Sequence, residues 1–404
     1  MSVIRPIHPA TEAPQPSQSE ERIPLAVPSL GGNEWAYIKG CLDTGWVSSV
    51  GPFVERFERD FAAYLGTKHA VATASGTAAL HVALLVAGVQ PDDEVLMPSF
   101  TFIAPANAVR YAGAWPVFLD AEPATWQMDL EWLRAFLETQ CESSYGTLRN
   151  RESGRRIGAI LPVHVLGHPV DMAPVLGLAA QYNVPVVEDA AEALGASYRG
   201  HPLGRFGRLA AFSFNGNKVM TSGGGGMIVT DNEALAEHAR YLTTTAKDDA
   251  AEGVHGRVGF NYRLTNIQAA LGCAQLEQLE GFLAAKRRIA ARYEAGLAGI
   301  PGLGLMPQAD WAKSAFWLYS VRIEAGRAAC GARELRRRLA ARGMDTRSFW
   351  QPLHLSPAHA GAQTLGGEVA ELLYSEVLSL PCSSDLSEAA QNRVIAAIRS
   401  ILAP

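Results

Sequence analysis

From residue 69 onward, short and mostly apolar runs alternate with longer stretches whose apolar residues recur at helical spacing. The short runs fall at 69–74, 94–98, 116–119, 159–164, 185–189, 210–214 and 227–230. Helix-like stretches lie between several of them, at 77–87, 132–139 and 172–182. Strands that are apolar on both faces belong in a sheet covered by helices on both sides; a half-exposed strand would alternate instead. The pattern therefore predicts an α/β domain with a mostly parallel central sheet. Ahead of it, residues 30–64 read as a helix, a Gly/Ser-rich loop and a second helix with Phe53, Phe57 and Tyr64 at helical spacing. After Arg263, the stretch NIQAALGCAQLEQLEGFLAAKRRIAARYEAGL repeats Leu and Ala every three or four residues, as a long amphipathic helix leading into a smaller domain. Strand-like residues 316–323 and helical residues 332–342 follow. The expected division is a flexible, proline-bearing tail over 1–24, a large α/β domain over 25–290 and a smaller C-terminal α+β domain over 291–404.

Composition narrows the class. Of 404 residues, 48% are apolar and 19% charged, enough for a large core and unlike a disordered chain. The net charge of −5 gives no basic excess for nucleic acid or an anionic membrane. The five cysteines are scattered without a C-x-x-C pair, against a disulfide scaffold or thiolate zinc cluster. The longest apolar stretch, near 82–89, is far below the roughly 20 residues that span a bilayer. The N-terminus has no apolar signal core, so a cytoplasmic protein is expected. Only six residues are lysine (Lys39, Lys68, Lys218, Lys247, Lys286 and Lys313), so chemistry needing a deprotonatable amine has six candidates.

In open α/β sheets, ligands bind beyond the carboxyl ends of the strands, so the residues after each predicted strand matter most. The first is followed by SGTAAL, where Ser75, Gly76 and Thr77 open an apolar helix whose N-terminus can hold an anion. Taken alone, this is also an ordinary N-cap. The fifth is followed by EDAAEALGA, with Glu188, Asp189 and Glu192, residues that commonly just cap the next helix. The decisive segment is AAFSFNGNKVMTSGGGGMIVT, in which Lys218 follows Phe214 by four positions. Its glycines match neither a Walker loop nor a dinucleotide fingerprint and read as a turn letting backbone pass close to a ligand. A loop lysine is usually a solvated surface residue, but it becomes a nucleophile candidate when desolvated beside an anion cradle and a carboxylate. An amine, a carboxylate for a ring nitrogen and a phosphate cradle are together what pyridoxal 5′-phosphate needs. Asp189 stands 218 − 189 = 29 positions before Lys218, room for one crossover and return.

The chain resembles the DegT/StrS-type sugar-nucleotide aminotransferases, a fold-type I pyridoxal phosphate family. The resemblance rests on GWVSSVGPFVERFE, ASGTAAL, PSFTFIAPANAV, PVHVLGHPVDM, VVEDAAEALG, FSFNGNK, GFNYRLTNIQAALGCAQLEQL and TRSFWQPLHLSP. It implies that Lys218 is the Schiff-base lysine and proton shuttle, and that Asp189 pairs with the pyridinium nitrogen. By the same resemblance, Glu192 lies near the ring hydroxyl and Phe102 stacks on the ring. Gly76, Thr77 and Ser213 would cradle the phosphate, and Asn261 would reach it from the partner subunit of a homodimer. His164, Arg347 and His354 match positions lining the sugar-nucleotide side, although a core histidine, a surface charge and a loop residue are the plain alternatives. The dehydratase and deoxygenase members carry histidine in place of the Schiff-base lysine, so Lys218 implies amino transfer. The implied donor is L-glutamate and the implied acceptor a nucleotide-linked 4-keto sugar, for surface glycan biosynthesis. The wording of TWQMDL, LGCAQLEQLEGFLAAKR and TRSFWQPLH most resembles the bacillosamine and legionaminic acid branch, which aminates UDP-2-acetamido-2,6-dideoxy-4-ketohexose. A GDP-perosamine-type synthase is the alternative. A pyridoxal phosphate-binding regulator is the rival from another class, disfavoured by the lack of a basic DNA-binding appendage.

Overall fold

The computed structural model describes residues 22–403 except 145 and 250. Seven strands fall where the apolar runs predict them: β1 (His69–Thr73), β2 (Glu94–Pro98), β3 (Trp115–Leu119), β4 (Ile157–Ile160), β5 (Val187–Asp189), β6 (Leu209–Ser213) and β7 (Gly226–Thr230). Two are shorter than their runs by two residues, and each is flanked by proline, which cannot donate to a ladder. Strand β4 stops before Pro162, and β5 begins after Pro185. In the small domain, β8 (Leu303–Gly304), β9 (Ser320–Ile323), β10 (Arg347–Ser348) and β12 (Val377–Ser379) form an antiparallel sheet in the order β8-β9-β12-β10. A further short strand, β11 (Thr364–Leu365), pairs in parallel with β3 instead.

The large sheet is assembled from β1-β7-β6-β5 and β4-β2-β3-β11, joined by parallel bridges Ile160–Val186 and Val163–Asp189. Only β7 runs antiparallel to its neighbours. Strands β2, β4, β5 and β7 are buried along their whole length. Helices α2 (Pro52–Leu65), α3 (Gly76–Ala87), α4 (Ala104–Tyr111) and α7 (Glu233–Thr243) pack against the sheet's strands, and α1 (Glu34–Thr44), α5 (Leu130–Ala135) and α6 (Met172–Tyr182) are further helices of this region. This is the mostly parallel architecture expected from the sequence.

Three expectations differ from the structure. The long helix after Arg263 is in fact two, α8 (Asn266–Leu276) and α9 (Leu279–Leu297). No glycine or proline marks the break; Gln278 donates its side-chain amide to the Ala274 carbonyl at 2.9 Å and to Glu34 at 2.7 Å, a tertiary contact invisible to periodicity. The tail expected over 1–24 lies mostly outside the described residues, but Arg22–Pro24 are held in place. Ile23 is 3% exposed, donates to Gly343 at 2.8 Å and accepts from Asp345 at 2.9 Å. The expected boundary at residue 290 falls inside α9, and β11 returns from the C-terminal segment to the large sheet. Helices α10 (Ala332–Ala340), α11 (Glu368–Glu376) and α12 (Glu388–Leu402) complete the small domain.

Candidate active site

The carboxyl ends of β1, β2, β5 and β6 open onto one cavity of about 480 Å³. Lys218 reaches it from the loop after β6. That loop is fixed by Phe214 N–H on the Gly225 carbonyl at 3.0 Å and Ser222 N–H on the Phe214 carbonyl at 3.0 Å. A turn follows, with Lys218 N–H donating to Asn215 at 3.0 Å. The side chain is 13% exposed. Its ammonium lies 3.3 Å from Glu192 Oε1 and 3.9 Å above the centre of the Trp317 ring.

Asp189 ends β5, tied on both sides: its N–H donates to Pro162 at 2.9 Å and its carbonyl accepts from His164 at 3.1 Å. Its carboxylate accepts the Ala191 N–H at 3.0 Å. Burial pushes the Asp189 carboxyl above its ordinary value, opposed by the Ala191 N–H, Lys218 and His164. Glu192 accepts the Leu166 N–H at 2.8 Å, and burial likewise raises its carboxyl against the pull of Lys218. Two buried carboxylates facing one lysine leave room for a further cation or ring N–H.

The cradle is built by glycine. Helix α3 starts at Gly76, capped by the Ser75 hydroxyl accepting from Ala78 at 3.1 Å. A Cβ on Gly76 would lie 2.7 Å from Ser213 Cβ, so only glycine lets the end of β6 touch the helix start. A Cβ on Gly226 would stand 2.5 Å from the Ser75 carbonyl, which accounts for the last residue of the four-glycine run. Ser75, Gly76, Thr77 and Ser213 line the cavity together at a helix N-terminus, the chemistry of a phosphate site. With Lys218 and Asp189 opposite, this donor set fits pyridoxal phosphate.

The remaining sequence candidates divide. Phe102, half exposed, lines the cavity with its ring 6.3 Å from that of Trp350. Arg347 also lines it, exposed, and its side chain has no ion-pair or hydrogen-bond partner among the described residues. His164 does not line a sugar site: it is fully buried. Its Nδ1 accepts the Val170 N–H at 3.1 Å, which leaves Nε2–H to donate to Glu188 at 3.1 Å. Glu188 in turn accepts the N–H groups of Gly204, Phe206 and Gly207, so this pair is a saturated core network. His354 also lies off the cavity lining, between Ser99 Oγ at 2.6 Å and Glu371 at 3.2 Å. Asn261 is exposed on the same chain, outside the cavity. Sequence reasoning missed Trp317, which arrives from the small domain 99 positions after Lys218 (317 − 218) with no local signal.

The DegT/DnrJ/EryC1/StrS aminotransferase family matches residues 28–399. The chain belongs to this family. It is 42% identical to a GDP-perosamine synthase of Caulobacter vibrioides, over 94% of this chain and 98% of that one. It is 38% identical to a putative pyridoxal phosphate-dependent aminotransferase, EpsN, of Bacillus subtilis, over 93% and 94%. The crystal structure of S. venezuelae DesV in complex with a ketimine intermediate is similar at a TM-score of 0.82 and 37% identity, covering 92% and 95%. The chain is thus a fold-type I, pyridoxal phosphate-dependent aminotransferase. The bacillosamine-type branch expected from wording is not the one named by these relatives. Among the described residues, no cluster of His, Cys, Asp or Glu is arranged to hold a metal ion, and no helix is long and apolar enough to cross a membrane.

Proposed function

We propose that the enzyme moves an amino group from L-glutamate to the C4 keto group of a GDP-linked 4-keto-6-deoxy sugar, as a GDP-perosamine-type synthase does. The observation that carries this reading is the 42% identity, end to end, with a relative of that name. When bound, pyridoxal phosphate supplies a carbonyl for amines and a ring that draws electrons from the reacting carbon. The protein does the rest. Lys218 holds the cofactor and carries the proton to and from the reacting carbon. Asp189 keeps the proton on the ring nitrogen, the start of α3 and Ser213 hold the phosphate, and Phe102 covers the ring. Arg347, exposed on the cavity lining, offers its guanidinium to the diphosphate of the substrate.

Purified enzyme with glutamate and a panel of 4-keto sugars tests the substrate. GDP-4-keto-6-deoxymannose is expected to exceed UDP-2-acetamido-2,6-dideoxy-4-ketohexose in kcat/KM by about 100-fold, the size of a pocket's discrimination against one added group. Higher efficiency with the UDP sugar would return the enzyme to the bacillosamine-type reading.

The active unit is a homodimer in this proposal. Trp35 and Leu42 on α1, and Trp46, Val47 and Val50 after it, are all exposed, an apolar surface that a second copy would cover. Asn261 is exposed away from its own cavity, free to serve the partner's phosphate. Mixing Lys218→Arg chains with Asn261→Asp chains is the direct check. Each parent is expected to be inactive or weak, while the mixed dimer regains one intact site. A mixture no more active than its parents refutes the shared site.

A further inference from the structure

Trp317 is held more completely than a wall residue needs to be. Its backbone N–H donates to the Leu166 carbonyl at 3.1 Å, and its carbonyl accepts Lys286 Nζ at 3.0 Å. Its indole N–H donates to the Asn217 carbonyl at 2.6 Å, one residue before Lys218. The Trp350 ring stacks nearly parallel to it, with centres 6.3 Å apart at 9°. Left-handed backbone occurs in both segments: Phe316 has φ 48° and Leu166 φ 59°, conformations unfavourable for bulky residues. Leu166 also gives its N–H to Glu192, so a single residue positions both groups that touch the Lys218 ammonium.

We infer that Trp317 is a positioning residue for Lys218: with the Glu192 carboxylate it forms a clamp that holds the free ammonium in the cavity. The ring face attracts a cation and offers little to a neutral amine. During transfer the lysine must be released from the cofactor and yet stay beside the reacting carbon. The carboxylate on one side and the indole on the other keep it there, and the Asn217 anchor ties the ring to the lysine's own loop.

The inference rests on Lys218 being the cofactor lysine, which is mapped first by borohydride reduction of the holoenzyme. A pyridoxyl label elsewhere defeats that assignment rather than the clamp. The clamp itself is tested in the full-length enzyme in its pyridoxamine phosphate form, where the lysine is free. Acetylation of Lys218 is followed by peptide mass spectrometry while fluorinated tryptophans are placed at position 317. Fluorination drains the ring face without changing its shape. The labelling rate is expected to rise stepwise, about tenfold in total, as loss of a partly desolvated cation–π contact predicts. Trp317→Phe should stay within about threefold of wild type because it keeps a face, whereas Trp317→Leu should match the most fluorinated ring. If Trp317→Leu does not fold, the fluorinated series alone decides. A flat series means that Trp317 only fills space, and the clamp is wrong.

Discussion

Lys218→Arg is expected to lower kcat by about a thousandfold or more, within the range of lost acid–base catalysis and beyond it if the covalent role is also lost. A guanidinium stays protonated at any working pH, so it can neither capture the cofactor nor take a proton from the reacting carbon. The site should tolerate it structurally. Glu192 and the face of Trp317 would receive a planar cation as readily as they receive the ammonium. The loss should therefore appear in kcat, with the folded protein and its melting temperature little changed. The surroundings of the other lysines support the choice. Lys39, Lys68, Lys247 and Lys313 are exposed, and Lys286 is buried far along α9, donating to the carbonyls of Trp317 and Cys382 at 3.0 and 2.5 Å. Substantial turnover by the arginine variant, or a borohydride label on Lys286, would move the chemistry elsewhere.

The large domain was legible because its determinants are local. Seven apolar runs gave seven strands, and the stretch 172–182 gave α6 with its bounds intact. That Lys218 and Asp189 line one cavity follows for a related reason: Asp189 ends β5, Lys218 lies in the loop after β6, and topology brings strand ends to one edge. What failed was the direction of side chains near that edge. His164 shares the stretch that follows β4 with cavity residue Val163, yet it points into the core against Glu188. Where backbone is buried on both sides, polarity alone does not tell a cavity-facing residue from a core network. Trp317 was silent because its role depends on a contact between domains. The order of Ile23 among its prolines was not legible, since its bridge partner Met344 lies more than 300 residues away.

Asp189→Asn separates function from stability. The amide keeps the shape and can still accept the Ala191 N–H, but it cannot hold a proton on the ring nitrogen as a carboxylate does. Turnover should fall by two to three orders of magnitude, about the effect of one preorganised electrostatic contact, with KM for the sugar within a few fold. Stability of the cofactor-stripped protein should move the other way. Burial raises the Asp189 carboxyl above its ordinary 3.8, so the folded chain binds that proton more tightly than the unfolded chain. The group thus favours folding at low pH, and the advantage is lost as pH climbs from the ordinary value through the raised one. Asparagine has no such titration. Measured across that interval, the melting temperature of Asp189→Asn should gain on wild type as pH rises, and cofactor binding should narrow the gap by giving the wild-type carboxylate its cation. Glu188 cannot substitute in this role, because its oxygens are already taken by three backbone N–H groups and His164. An asparagine variant with near-normal turnover would therefore pass the role to Glu192, the remaining carboxylate on the cavity.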